Sequence, residues 1–192
     1  MPEKNKQLSI SILIILGFVL SLVLLLRTPS PIKNTALLRE DGKINLSLPV
    51  RLKIPKINID ATVDHVGLAP DGTMDVPNSP ENTAWFNLGP RPGEIGSSVI
   101  DGHSGLKNNT PAVFDNLYKL QKGNKIYVED SSGTITTFVV REIRTYKNNE
   151  EVPEVFNSSD NQAHLNLITC TGAWNDAEKT RSDRLVIFSD KE

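Results

Sequence analysis

Three residues of this chain carry side chains suited to covalent chemistry, each at the end of an apolar run. Cys170 closes the stretch LNLITC, His103 sits in the glycine-flanked loop DGHSG after SSVI, and Arg184 opens the stretch RLVIF. A thiol reacts as its thiolate, a form that a cationic neighbour favours. An imidazolium supplies such a cation and then serves as general acid toward a leaving amine. A guanidinium is a permanent cation whose planar fork suits a substrate carbonyl or a developing oxyanion. Each residue alone has a plainer reading. Free cysteine is among the most buried residue types, a histidine in a glycine loop is commonly solvated, and an arginine at a strand start commonly lies on the surface. Only their combination points to a nucleophilic site.

The elements that would position them read mainly as strands. Residues 50–59 (VRLKIPKINI) alternate apolar and polar, with Pro55 as a break or bulge. Asp71-Gly72 marks a turn between 63–68 and 74–76. A short strand over 97–100 runs into the histidine loop. Residues 125–129 and 134–146 read as a hairpin around Ser132-Gly133, and 164–170 and 184–189 as the last two strands. Residues 113–120 are expected as one short helix, with a turn near 152–156. Many short strands with little helix predict a closed or nearly closed antiparallel barrel, whose strand ends would expose reactive groups on a rigid frame.

Composition narrows the class. The 192 residues carry 21 basic and 23 acidic side chains, 38% hydrophobic residues and one cysteine. A net charge of −2 gives no basic field, so no nucleic-acid partner is expected. A lone cysteine excludes an internal disulfide framework and zinc sites built on paired cysteines. The hydrophobic residues are unevenly spread: residues 8–26 (LSISILIILGFVLSLVLLL) hold nineteen in a row without a charge. That run is long enough to cross a bilayer as a helix and longer than a signal-peptide core. It lacks an A-x-A cleavage pattern and a polar face, so an uncleaved anchor is favoured over a cleaved signal or a buried helix. Lys4 and Lys6 before it favour a cytoplasmic residue 1–7 segment, although Arg27 and Lys33 follow closely. The expected organisation is residues 1–7 cytoplasmic, 8–26 transmembrane, 27–48 a polar linker, and 49–192 a catalytic domain outside the cell membrane.

Taken together, the three short motifs resemble those of the sortases, membrane-anchored cysteine transpeptidases. LITC ending at Cys170 resembles the nucleophile motif, VIDGH ending at His103 the histidine motif, and DRLVIF, with Arg184 fourteen residues after the cysteine, the arginine motif. RLKIPKINIDATV, GLAPDGTMDVP, AWFNLGPRPGEIGS and PAVFDNL resemble flanking stretches of the class E and F members, so the likeness runs from Arg51 to Phe188. The resemblance implies an eight-stranded sortase β-barrel with one or two short helices. It implies that Cys170 attacks the carbonyl between Thr and Gly of an LPXTG-type sorting signal to form a thioacyl-enzyme. His103 would protonate the leaving amine and deprotonate an incoming one, a peptidoglycan precursor or a pilin lysine. Arg184 would hold the substrate and the oxyanion. Thr169 matches a threonine of the motif and is expected at the substrate through its hydroxyl or backbone. No cofactor or metal is implied.

Other residues are left open. Arg181 competes with Arg184, which is favoured because it immediately precedes the apolar strand; several relatives carry a Tyr near 181–182. Trp174 lines a substrate groove or packs. Asp101 orients the imidazole or caps its loop. His65 and His164 read as structural or surface residues. Glu94, Asp115, Glu150 and Glu151 are scattered and form no dense oxygen-ligand loop for calcium. Two functional alternatives stand beside the sortase reading: a non-catalytic membrane-anchored β-domain acting as a binding or assembly module, and a cell-envelope cysteine peptidase that only hydrolyses. An L,D-transpeptidase would carry S-x-G-C, an NlpC/P60 peptidase would place its cysteine before its histidine, and a serine hydrolase would carry a G-x-S-x-G elbow.

Overall fold

The computed structural model describes residues 47–105, 110–177 and 180–192, all within the unit Asn45–Glu192. The expected cytoplasmic segment, transmembrane anchor and nearly all of the linker lie outside the described residues. Among the described residues, no helix is long and apolar enough to cross a membrane.

Strand β1 (Pro49–Ile54) stops at Pro55, which has no N–H to offer a ladder. A 3-10 turn (Pro55–Ile57) and Asn58 in the left-handed region (φ 56°) reverse the chain into β2 (Ile59–Val66). The stretch 50–59 therefore forms β1 and the start of β2, paired antiparallel with Ile54 beside Ile59. β3 (Thr83–Phe86) and β4 (Gly96–Gly102) follow, then the hairpin β5 (Lys125–Asp130) and β6 (Ile135–Lys147), then β7 (Ala163–Asn175) and β8 (Thr180–Lys191). They close into a barrel in the order β1-β2-β3-β4-β7-β8-β6-β5.

Three expectations are corrected. β3 has no counterpart in the sequence reading: Thr83, Ala84 and Trp85 are all buried, so the strand shows no alternation to recognise. The barrel is mixed, because β2–β3 and β4–β7 pair in parallel. Parallel pairing depends on long crossover connections, which local patterns do not encode. Residues 113–120 form turns and the 3-10 turn Leu117–Lys119, and among the described residues there is no α-helix. Phe114, Leu117 and Leu120 all point into the core, and so short a segment gains too little from helical bonding to hold a helix.

The sheet has two apolar faces. Inside the barrel pack Leu52, Ile54, Phe138, Leu165, Leu167 and Ile187. Outside it a smaller cluster joins Val99, Val186 and Phe188 to Val155, with Met74, Phe86 and Ile168 packed on it. Strand alternation then assigns each site residue. Ile100, Leu167 and Leu185 face inward, so Asp101, Ile168, Cys170, Arg184 and Val186 belong to the outer face. His164 is 3% exposed and lies between Asp190 (2.8 Å from Nδ1) and Asp160 (2.9 Å from Nε2). It is structural, as is His65, whose Nε2 donates to the Pro49 carbonyl at 2.8 Å.

Candidate active site

Register brings the three reactive residues together. In the parallel β4–β7 pair Asp101 lies beside Ile168, so two residues further on His103 comes level with Cys170. In the antiparallel β7–β8 pair Cys170 is directly opposite Arg184, which in turn lies opposite Tyr146 of β6. Cysteine and arginine thus sit side by side on the outer face, and the histidine, just past the end of β4, continues their row. They open into a groove of about 900 Å³. Its floor includes Ile168 and Val186, and its walls include Met74 and Val76 from the segment after β2 and Val152 and Phe156 from the segment after β6.

The wall carrying Met74 is the connection from β2 to β3. Leu68 bridges Met74, and the Asp71 carboxylate accepts bonds from the backbone N–H and hydroxyl of Thr73 at 3.0 and 2.7 Å. Gly72 there adopts φ 85°, which a side chain would strain. From the end of this segment the Pro77 carbonyl accepts a bond from His103 Nε2 at 2.8 Å, which fixes the ring plane.

The histidine loop is also clasped to β7. Thr169 donates to the Gly102 carbonyl at 2.6 Å, and the Ser104 hydroxyl donates to the Cys170 carbonyl. Arg181 donates to the Gly105 carbonyl through Nη2 (2.6 Å) and Nε (3.1 Å), and to the Gly172 carbonyl through Nη1 (2.7 Å). Gly105 adopts φ 54°, the left-handed region that a side chain strains, and a Cβ there would also push the tip of Arg181 off its carbonyl. Arg181 and Arg184 both line the groove, but only Arg184 is the register partner of Cys170. Arg184 is itself held by the carbonyls of Arg181 and Asp183, both at 3.1 Å, and by the Thr180 hydroxyl at 3.2 Å. The clasp residues Ser104 and Arg181 were not legible as such, because each acts on a backbone carbonyl far away in sequence.

The side chain of Thr169 faces away from the groove. Neighbouring Cys170 on a strand, it must face the opposite way, and it is 2% exposed inside the barrel. With its hydroxyl on Gly102, it holds the end of β4 that carries His103 rather than reaching into the groove. Thr169→Val, nearly isosteric, is expected to lower stability by about 1–2 kcal/mol, read by thermal denaturation, and to lower kcat several-fold with little change in KM. Trp174 lies at the groove, 36% exposed, with Nε1 donating to Asp176 at 2.9 Å.

Electrostatically, burial pushes the Cys170 thiol above its ordinary value, and Arg184 is the main group pulling the other way. The Thr180 hydroxyl and Arg181 add to that pull, while Asp101 opposes it. The resting site therefore holds a thiol that its cations are placed to ionise. Burial also pushes the Asp101 carboxyl up to about 6, against the pull of His103 and then Arg184.

A half-buried thiol that shares one groove with an imidazole and a guanidinium has the groups that nucleophilic attack on an acyl carbon needs. The Sortase domain matches residues 52–192, nearly all of the barrel. The chain belongs to the sortase family. Sortases are cysteine transpeptidases, and this sortase shares its barrel with solved members of several kinds. It is similar to sortase C-1 from Actinomyces oris at 28% identity, over 75% of this chain and 74% of that one, with a TM-score of 0.58. Sortase A from Corynebacterium diphtheriae aligns at 24% identity over 78% of this chain and 63% of that one, TM-score 0.57. A Clostridium perfringens sortase D5 transpeptidase aligns at 23% over 75% and 78%, TM-score 0.55. The latter two, at such identities, speak to the fold. Among curated protein sequences none matches this sortase.

Proposed function

We propose that this sortase cleaves an LPXTG-type sorting signal between Thr and Gly and transfers the new acyl end to an amine. The observation that carries the proposal is the single row His103–Cys170–Arg184 on the outer face of the sheet, open to one groove. Cys170 passes its thiol proton to His103, and the thiolate Sγ attacks the threonine carbonyl carbon, opening the C=O π bond. Arg184, opposite the cysteine, stabilises the oxyanion that forms. As the intermediate collapses, the C–N bond breaks and His103 gives its proton to the departing glycine nitrogen, leaving a thioacyl-enzyme. The neutral imidazole then takes a proton from an incoming amine, which attacks the thioester and releases Cys170. The apolar floor and walls favour the leucine and proline of such a signal, with Trp174 at the groove as a further contact.

The acceptor class is a primary amine of the cell envelope, on a peptidoglycan precursor or a pilin lysine. Residues 8–26 would anchor the enzyme in the membrane with the barrel outside the cell, and the flanking motifs favour a class E- or F-like member. The full chain in mild detergent, offered a library of quenched LPXTG-type peptides with and without an amine acceptor, is expected to cleave at least one of them. Mass spectrometry should find the acyl adduct on Cys170. A folded protein that turns over no member and forms no adduct would overturn the proposal in favour of a non-catalytic module. Cleavage that no amine accelerates or diverts would favour a hydrolase.

A further inference from the structure

Asp101 occupies a place on the groove face that its neighbours make costly for a carboxylate. Along β4 it follows the outward-facing Val99, beside it on β7 stands Ile168, and beyond that on β8 stands Val186. Solvated carboxylates do not choose apolar rows. Two residues on, the same strand face leads to His103. Asp101 thus lies one row behind the reactive row, lining the same groove as His103, Cys170 and Arg184.

We propose that Asp101 is a positioning residue of the reactive row, whose carboxylate holds back ionisation of the Cys170 thiol as it meets the substrate. The inference rests on the sortase reading of the site. A negative charge favours the protonated form of each group beside it. It therefore opposes thiolate formation at Cys170. Arg184 and Arg181, on β8, act on the thiol in the contrary sense. The remaining ionisable groups around the groove face other partners. Lys147 of β6 pairs with Asp183 at 2.7 Å, and the Glu150 carboxylate accepts the Lys147 backbone N–H at 3.2 Å. Tyr146 lies against Arg144 at 3.3 Å, and Asp71 holds Thr73. Asp101 is left as the acid that faces the reactive row.

Asp101→Asn in the full chain tests this. The midpoint of the pH dependence of Cys170 alkylation by iodoacetamide is expected to fall by roughly 0.5–1 pH unit. The pH profile of kcat for peptide cleavage should move the same way, with KM nearly constant, and Asp101→Glu should restore most of the wild-type profile. Stability supplies a control whose sign is fixed. The raised Asp101 acid favours folding while it is protonated, below the ordinary carboxyl range, and loses that contribution as pH rises through about 6. The amide variant should therefore melt higher than wild type above pH 7 and level with it near pH 4. If it does not melt cooperatively, Asp101→Ser carries the same expectation. An unmoved alkylation midpoint, or a uniform rate loss without a pH shift, overturns the inference. A shifted midpoint in a protein that cleaves no peptide would instead leave the charge role standing and refute the sortase activity.

Discussion

Cys170→Ala is expected to abolish peptide cleavage, lowering kcat by about 10⁴-fold or more, while the barrel melts within a degree or two of wild type. Cys170 is half-buried on the groove side of β7 and belongs to neither apolar cluster, so its sulfur contributes little to packing. His103→Ala should cost ~10²–10⁴-fold, the range for a positioned general acid. Because the two act on one proton and one carbon, the double variant should be no slower than Cys170→Ala alone. Steady-state cleavage of a quenched peptide, with circular dichroism to confirm folding, reads all three. Additive losses would mean that histidine and cysteine serve separate steps, and near-normal activity in either single variant would remove that residue from the machinery.

The second large effect concerns Arg184. Arg184→Ala should lower kcat/KM by about 10²–10³-fold, as expected for loss of one oxyanion donor. It should also move Cys170 alkylation to higher pH, because the guanidinium is the main group favouring the thiolate. This shift is opposite in sign to the one expected for Asp101→Asn, so the pair of variants brackets the electrostatics of the row. Arg184→Lys should restore part of the alkylation shift, which needs only a charge, and little of the rate, which needs the planar fork. The contacts that Arg184 makes to the Arg181 and Asp183 carbonyls and to Thr180 lie beside the open groove, where water can replace them, so stability should change little. A lysine variant that recovers full kcat/KM would reduce the arginine to a charge.

The contrast between Arg181 and Arg184 illustrates how sequence and structure divide the work. Sequence adjacency to the strand RLVIF singled out Arg184, and the strand register agrees by setting it opposite Cys170. Nothing in the sequence marks Arg181 as the clasp between Gly105 and Gly172, because its acceptors are backbone carbonyls, which every residue type supplies. The same blindness covers Ser104 on the Cys170 carbonyl and Pro77 on the imidazole. Thr169 shows the converse. A motif match marks it for a hydroxyl or backbone contact with the substrate; strand alternation turns neighbouring side chains to opposite faces, so a groove-facing Cys170 requires a buried Thr169 hydroxyl.

By itself the sequence determined the chemistry available and most of the strands. One thiol, one loop histidine and one strand-opening arginine stand at the ends of short apolar runs, which are a local property of the chain. The hairpin of β5 and β6 was legible for the same reason, since its turn and both its strands are contiguous. Only the tertiary structure decided that β4 runs parallel to β7, that the short, largely buried β3 completes the barrel, and that Asp101 falls one row behind His103 among valines and an isoleucine. These are pairings between segments tens of residues apart. They are selected by closure of the sheet and burial of both its faces, which no local pattern encodes.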